Sequence, residues 1–427
     1  MEDLLHYVWK HKLFVSRITE TVTGEPVEII DTGTRNVHAG PDFFNAKIKI
    51  GKTLWAGSVE IHTHSSDWYK HGHDKNPQYN SVILHVVKYY DREVFRLNGE
   101  PIPQLLLSYP ELIDEGYEYL LSSDTAVPCS LQLSGILPLS VTSWLNALTI
   151  ERLEQKTERI FCRLKQSGNN WEEVMYVMLG RYFGGGVNTD AFERLTRSLP
   201  YIRLLKHKDS LFRMEALLFG QAGMLSYPGE DDYFSELKKE YDFLRHKYKL
   251  QPIDPVCWKS HRLRPANFPE LRIAQFAAVY HRLSGLFSRI MKAADLSELH
   301  ELFKIRPSDY WNTHYSFGTV SPESGKSIGN TLIDALLINV VIPVIFSYGI
   351  TLDYSVLTDK AFSFLEELPP ENNSIIREWA GLGLKASNAG DSQALIHLKK
   401  EYCEQKKCLY CRIGREILAD KNMNHKP

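Results

Sequence analysis

Near residue 130 the hydrophobic period of this chain changes from two to 3.6, and that switch limits the fold more than any single motif does. Before it, "PVEIIDTG", "FNAKIKI", "TLWAGSVEIH", "SVILHVVKYY" and "EVFRLNG" alternate with turn signals such as "GKT" and "NGE". They follow one amphipathic opening segment carrying Leu4, Leu5, Val8, Trp9 and Leu13. Such β-rich runs bounded by glycine predict strands. "SVILHVV" is apolar at nearly every position, as expected for a central strand covered on both faces. After residue 135, "LSVTSWLNALTIERLEQKTERIFCRL" reads as one long helix with Ile150, Leu153, Ile160 and Leu164 on one face. "WEEVMYVMLGRYF", "DSLFRMEALLFGQAG", "LRIAQFAAVYHRLSGLFSRIM" and "SQALIHLKKEYCEQ" read as further helices, and 306–330 as a loop. The expectation is an α/β domain over 1–130 with a mixed sheet, then a larger, mostly α-helical region over 131–427.

With 43% hydrophobic and 24% charged residues, the chain has an ordinary globular composition. Its net charge of −2 supplies no global field toward nucleic acid or anionic membrane, so a nucleic-acid role needs a local basic patch. The opening "MEDLLHYVWKHKLF" carries acids and no apolar run of signal length. The most apolar stretch, "TLIDALLINVVIPVIFSYGI", is broken by Asp334, Asn339 and Pro343, which favours a buried helix over a membrane span. The expected location is the cytoplasm, with no membrane partner and with the cysteines reduced.

"GSVEIHTHSSDWYKHGHD" (57–74) packs four histidines and three acids into one short segment. On a strand, Glu60, His62 and His64 share one face while Val59 and Ile61 share the other. Followed by Asp67, His71 and His73, they suit a divalent metal; the bland alternative is a polar strand edge and loop. Upstream, "NVHAGPDFFNAKIKI" places Asp42 just ahead of a strand, so Asp42 and Glu60 can meet at the ends of neighbouring strands. Mg²⁺ or Mn²⁺ wants oxygens so arranged, and His62 on the face of Glu60 could position or deprotonate a water.

"PD … ExH" resembles the PD-(D/E)xK nuclease superfamily, which implies a restriction-endonuclease-like sheet and catalytic roles for Asp42, Glu60 and His62. His62 stands where that pattern has lysine, and with an ordinary pKa of ~6.5 it is a weaker fixed cation. Glu2 is the nearest candidate for the first-helix glutamate often seen there. "HTHSSD" resembles the opening of another metal-hydrolase class, but its later motifs do not follow. In "SPESGKS" the first glycine of a phosphate loop falls on Val320, which excludes that motif. Over nearly its whole length the chain is identified as a member of an uncharacterised bacterial family, domain-of-unknown-function family 2851. The stretches that carry this are "NVHAGPDFFNAKI", "GSVEIHTHSSDWYKHGHD", "YNSVILHVV", "EALLFGQAGML", "RLRPANFPELRIAQFA" and "CLYCRIG".

"YCEQKKCLYC" spaces Cys403, Cys408 and Cys411 as C-x4-C-x2-C, a good chelate for a soft ion. Cys129 in "AVPCS" is the first candidate for a fourth ligand and His425 the second. Zinc is the simpler occupant; an iron–sulfur cluster, as in some nucleases of the superfamily, is the other. Core packing of small apolar cysteines is the alternative. Between Lys238 and Lys292 twelve Lys/Arg face only four acids. There "WKSHRLRPANFPELR" mixes Trp258 with Arg262, Arg264 and Arg272, residues suited to stacking on bases and forking onto phosphates. A solvated helical face explains the same charges. The leading expectation is a metal-dependent nuclease-like protein. The alternatives are a non-catalytic nucleic-acid or protein-binding scaffold with a degenerate nuclease fold, and a metal hydrolase built on His62, His64, His71 and His73.

Overall fold

In the computed structural model, residues 2–14, 18–36, 38–226 and 231–419 are described. The chain forms two compact units, Met1–Trp144 together with Leu398–Pro427, and Leu145–His397. The change of hydrophobic period puts a single boundary at 130/131 and leaves the C-terminal segment with the helices. Compactness instead groups that segment with the sheet, a pairing across some 270 residues that no local period encodes.

The first unit opens with helix α1 (Glu2–Lys10), whose Leu4, Leu5, Val8 and Trp9 are buried. The Trp9 indole donates to the Thr32 carbonyl at 3.1 Å. Seven strands follow in one mixed sheet: β1 (Ile18–Glu20), β2 (Pro26–Asp31), β3 (Thr34–Arg35), β4 (Phe43–Ile50), β5 (Thr53–His64), β6 (Val82–Tyr89) and β7 (Gln104–Leu106). Their order is β1-β2-β4-β5-β6-β7, with β3 beside β4. β2, β4 and β5 pair antiparallel, whereas β5, β6 and β7 run parallel.

A parallel pair needs a crossover, and residues 65–81 supply it as helix α2 (Asp67–Lys70) and two short 3-10 turns, His73–Lys75 and Pro77–Ser81. Gly57 makes the close return possible, because a Cβ there would sit 2.4 Å from Ile83 Cγ2 and 2.8 Å from the Ser81 carbonyl. In β6, positions 82–87 are all buried. "EVFRLNG" is not a strand: it closes a tight turn (Gly99 N to Arg96 O, 2.9 Å) with a single bridge between Phe95 and Pro101. Its apolar Val94 instead joins the small core around Trp68, Tyr79, Val82 and Ile102.

The second unit is mostly helical. The helix Pro138–Gln166 buries Leu153, Ile160 and Leu164, but Ile150 is exposed and Leu148 and Thr149 are buried in its place. The expected single helix through "LSGLF" breaks into Pro269–Arg282 and Leu286–Lys292 at Gly285, whose φ of 68° is left-handed. Asn330–Leu352 is long and apolar enough to cross a bilayer, yet 67% of its most apolar window is buried inside the protein. Pro343 has no N–H for the carbonyl four residues back, and the helix widens into a π segment over Leu337–Val341 just before it.

Within this core, the fully buried Glu215 accepts hydrogen bonds from Tyr233 and from Ser308 Oγ at 2.9 Å. Burial pushes its carboxyl up to about 7. Because that lies above the unfolded value, the folded state favours the protonated form. Its contribution is therefore complete below the unfolded pKa and is lost as pH rises through about 7. The loss across that window is about 3 kcal/mol. Glu215→Gln keeps an acceptor without the charge, so denaturation midpoints between pH 4.5 and 7 should vary less than those of the wild type. An unchanged profile would remove Glu215 from the pH dependence.

Candidate functional site

Asp42 precedes β4 and Glu60 sits in β5, where Phe43 pairs with Val59, so the two acids lie side by side. They brace one another through backbone amides: Asp42 N donates to Glu60 Oε2 at 3.0 Å, and Ile61 N donates to Asp42 Oδ2 at 2.9 Å. A bulge between Phe43 and Ala46, with Asn45 at φ 57°, bends β4 beside them. The second oxygen of Glu60, Oε1, lies 3.1 Å from His73 Nε2 and 3.6 Å from His62 Nε2. Asp42 Oδ2 also faces His6 Nε2 of α1, at 3.1 Å.

The two-residue alternation of β5 puts Glu60 and His62 on one face, and the crossover brings His71 and His73 over it. One ring nitrogen from each of His62, His71 and His73 lies within 4.8 Å of the others. His62 stacks on His73, and His73 stacks on Tyr79 with centroids 3.8 Å apart. Trp68, fully buried, walls the group with its ring against His73 and His85. His62 and His73 are buried, whereas His71 is exposed and forms the mouth.

Proton positions follow from a relay across three neighbouring strands. Gln104 on β7 donates its amide to the Arg92 carbonyl at 3.1 Å, which leaves Oε1 to accept from His85 Nδ1 at 3.2 Å. His85 Nε2 then lacks a proton and accepts from His62 Nδ1 at 2.8 Å. Neutral imidazole carries one N–H, so the lone pair of His62 falls on Nε2, which faces His71 Nδ1 at 3.1 Å and Glu60. Burial, reinforced by its imidazole neighbours, drives the His62 pKa far below the ordinary histidine value. Burial likewise lowers His73, and His85 to about 4. The Glu60 carboxyl is raised, first by burial and then by Asp42. Neutral imidazoles beside a crowded carboxylate leave donor electron pairs without protons. His73 Nε2 is buried and makes no hydrogen bond among the described residues, because Glu60 Oε1, though 3.1 Å away, is not aligned for one. A divalent cation fits this set, because it would take these lone pairs and offset the carboxylate charge.

Of the sequence-derived candidates, Asp42, Glu60, His62, His71 and His73 come together. His64 does not; its half-exposed ring lies 3.8 Å from Asp67 Oδ2. Sequence reasoning missed His6, His85 and Gln104. His85 had a signal, a lone histidine inside the otherwise apolar "SVILHVV"; Gln104 had none. Of the basic set, Arg262 and Arg264 are exposed. Trp258 is committed to packing: its indole N–H donates to the Ala222 carbonyl at 2.8 Å and its ring meets Phe192 edge-on. Arg272 is tied to Gln275 Oε1 and Asn267 Oδ1 at 2.9 and 2.6 Å, and burial lowers its pKa to about 10. Cys129, Cys403, Cys408 and Cys411 are all buried in the first unit. His425 lies outside the described residues.

A family model described as "Protein of unknown function (DUF2851)" matches residues 2–374. No curated protein and no solved structure matches the chain.

Proposed function

This chain belongs to the DUF2851 family, and we propose that its sheet-bearing unit is a metal-dependent hydrolase acting on nucleic-acid phosphodiesters. The observation that carries the reading is the convergence of ring nitrogens of His62, His71 and His73, with Glu60 Oε1 3.1 Å from His73 and 3.6 Å from His62 and the His62 lone pair aimed inward by the Gln104–His85 relay. Imidazole nitrogens move the preference from Mg²⁺ toward Mn²⁺ or Zn²⁺. When bound, such an ion polarises a phosphoryl oxygen and lowers the pKa of water.

The protein's own groups divide the remaining work. His62, His71, His73 and Glu60 hold the site, and Gln104 and His85 fix the tautomer of His62. Asp42 accepts the Ile61 amide, donates its own amide to Glu60 and faces His6 Nε2 at 3.1 Å, which fixes the two carboxylates side by side. Exposed His71 leaves one side open for substrate, as a catalytic centre requires. The phosphodiester assignment rests on the placement of Asp42 and Glu60 at the ends of adjacent antiparallel strands, followed by a crossover to a parallel one. That is the arrangement the PD-(D/E)xK resemblance implies. Exposed Arg262 and Arg264 are the candidate phosphate contacts of the second unit.

One observation favours a second reading, a binding scaffold that has lost the chemistry: His62, standing for the nuclease lysine, is held neutral. Incubating the protein with single- and double-stranded DNA and RNA, with Mn²⁺ or Zn²⁺ and with chelator, separates the two. Metal-dependent cleavage is expected. Metal binding without cleavage of any of these substrates would favour the scaffold, and failure to bind either ion would sink the hydrolase reading.

A further inference from the structure

A second donor set lies in the same unit and plays no part in the histidine site. We propose that Cys129, Cys403, Cys408 and Cys411 are the four thiolate ligands of a soft metal centre that fastens the C-terminal segment to the sheet-bearing unit. None of the four is in a disulfide, and each is less than a tenth exposed. They come from two regions of sequence about 270 residues apart that lie in one unit, where Lys406 of the C-terminal turn donates to the carbonyls of Leu121 and Ser123, close in sequence to Cys129. The Cys403 thiol is pushed up by burial and then by Cys129, Cys411 and Cys408, and Cys129 by burial and then by Cys411 and Cys408.

The local backbone is built around the sulfurs. The helical segment Leu398–Cys403 ends at Cys403, and the chain reverses with Lys406 at φ 49°. Lys407 to Cys411 then form a tight turn, with Cys411 N donating to Cys408 O at 3.3 Å. Cys411 immediately precedes the helix Arg412–Ala419, and the amides of Ile413 and Gly414 donate to its sulfur. Burial raises the Cys411 thiol, and these helix-start amides act against that rise by favouring the thiolate. Gly414 must lack a side chain, since a Cβ there would lie 2.3 Å from the Cys408 carbonyl oxygen. The indole nitrogen of Trp144 also approaches the Cys411 sulfur, and it is buried with no hydrogen-bond partner among the described residues. A metal-bound thiolate would give that N–H an anionic acceptor. Around the turn, Lys406 donates to the carbonyls of Leu121 and Ser123, and Arg35 donates to the Tyr410 hydroxyl at 2.6 Å. These contacts seat the loop and leave the four buried thiols without a disulfide.

Zinc and an iron–sulfur cluster share this thiolate chemistry but differ in spacing. A single zinc holds its sulfurs about 3.8 Å apart, from a Zn–S bond of about 2.3 Å in a tetrahedron. Among the described residues no three of these sulfurs lie within 4.8 Å of one another, whereas the histidine nitrogens do. Zinc therefore requires side-chain rotation at the turn, and a cluster takes the thiolates at wider separation.

The test is metal analysis of the full-length protein purified under anaerobic conditions, with thiol titration before and after denaturation. Bound zinc without visible absorbance, or iron with sulfide and a visible band, is expected, and either result supports the centre and names its occupant. Cys408→Ser should release that metal and lower the melting temperature. The exposed Cys162→Ser, in the second unit, should do neither. His71→Ala should leave this metal in place, which separates the thiolate centre from the histidine site. If Cys408→Ser fails to fold, thiol reactivity of the native wild type decides instead: the four cysteines should resist modification until chelator is added. Protein free of zinc and iron, whose four thiols react without chelator and whose melting temperature is indifferent to added Zn²⁺, would overturn the proposal.

Discussion

Glu60→Gln should lower the affinity of the histidine site for Mn²⁺ or Zn²⁺ by about 100-fold or more, and with it any hydrolysis, without unfolding the protein. Changes outside the ligand shell typically cost 10–100-fold, and a ligand oxygen should cost at least as much. The substitution is chosen for the division of labour between the two carboxylate oxygens. Oε2 accepts the Asp42 amide at 3.0 Å, a bond the Gln amide oxygen can keep. Oε1, 3.1 Å from His73 Nε2, becomes an uncharged NH₂ that offers no lone pair to a cation. Calorimetric titration with each ion, with circular dichroism as the check on folding, reads both effects. A folded variant with wild-type affinity would move the centre away from Glu60 and leave the three imidazoles to account for binding.

Trp68→Ala should destabilise the protein by about 3–5 kcal/mol, the usual cost of truncating a fully buried aromatic. The ring has no exposure, its N–H donates to the Phe95 carbonyl at 3.1 Å, and it packs edge-on against Tyr79 and His73. Its loss opens a void behind the wall that holds His73 in stack with His62. Metal affinity should therefore fall together with stability, although Trp68 offers no ligand atom. Denaturant midpoints and metal titration on the same preparation test the coupling. Stability lost with affinity unchanged would show that His73 keeps its place without the indole.

The strands "FNAKIKI", "TLWAGSVEIH" and "SVILHVV" were legible in the sequence because burial imposes a period of two, and a doubly covered strand must be apolar throughout. The helices were legible for the equivalent reason at 3.6. Where one apolar residue serves a distant neighbour, the local pattern misleads: Val94 reads as strand but is buried against the Trp68 cluster. The same limit applies at the site. The proximity of Asp42, Glu60 and His62 could be anticipated because hairpin register and alternation are short-range rules. The sequence by itself also determined the mutual reach of Cys403, Cys408 and Cys411, which lie within nine residues.

Tertiary structure alone decided the rest. It excluded His64, included His71 and His73 by folding the crossover back over β5, and brought His6 to Asp42 from α1. It set the His62 tautomer through Gln104, because a proton's position depends on a hydrogen-bond chain across three strands. It also placed Cys129 in one compact unit with the C-terminal cysteines. Periodicity reports which face of an element is buried; it carries no information on which buried faces meet, since that is set by packing between segments far apart in the chain.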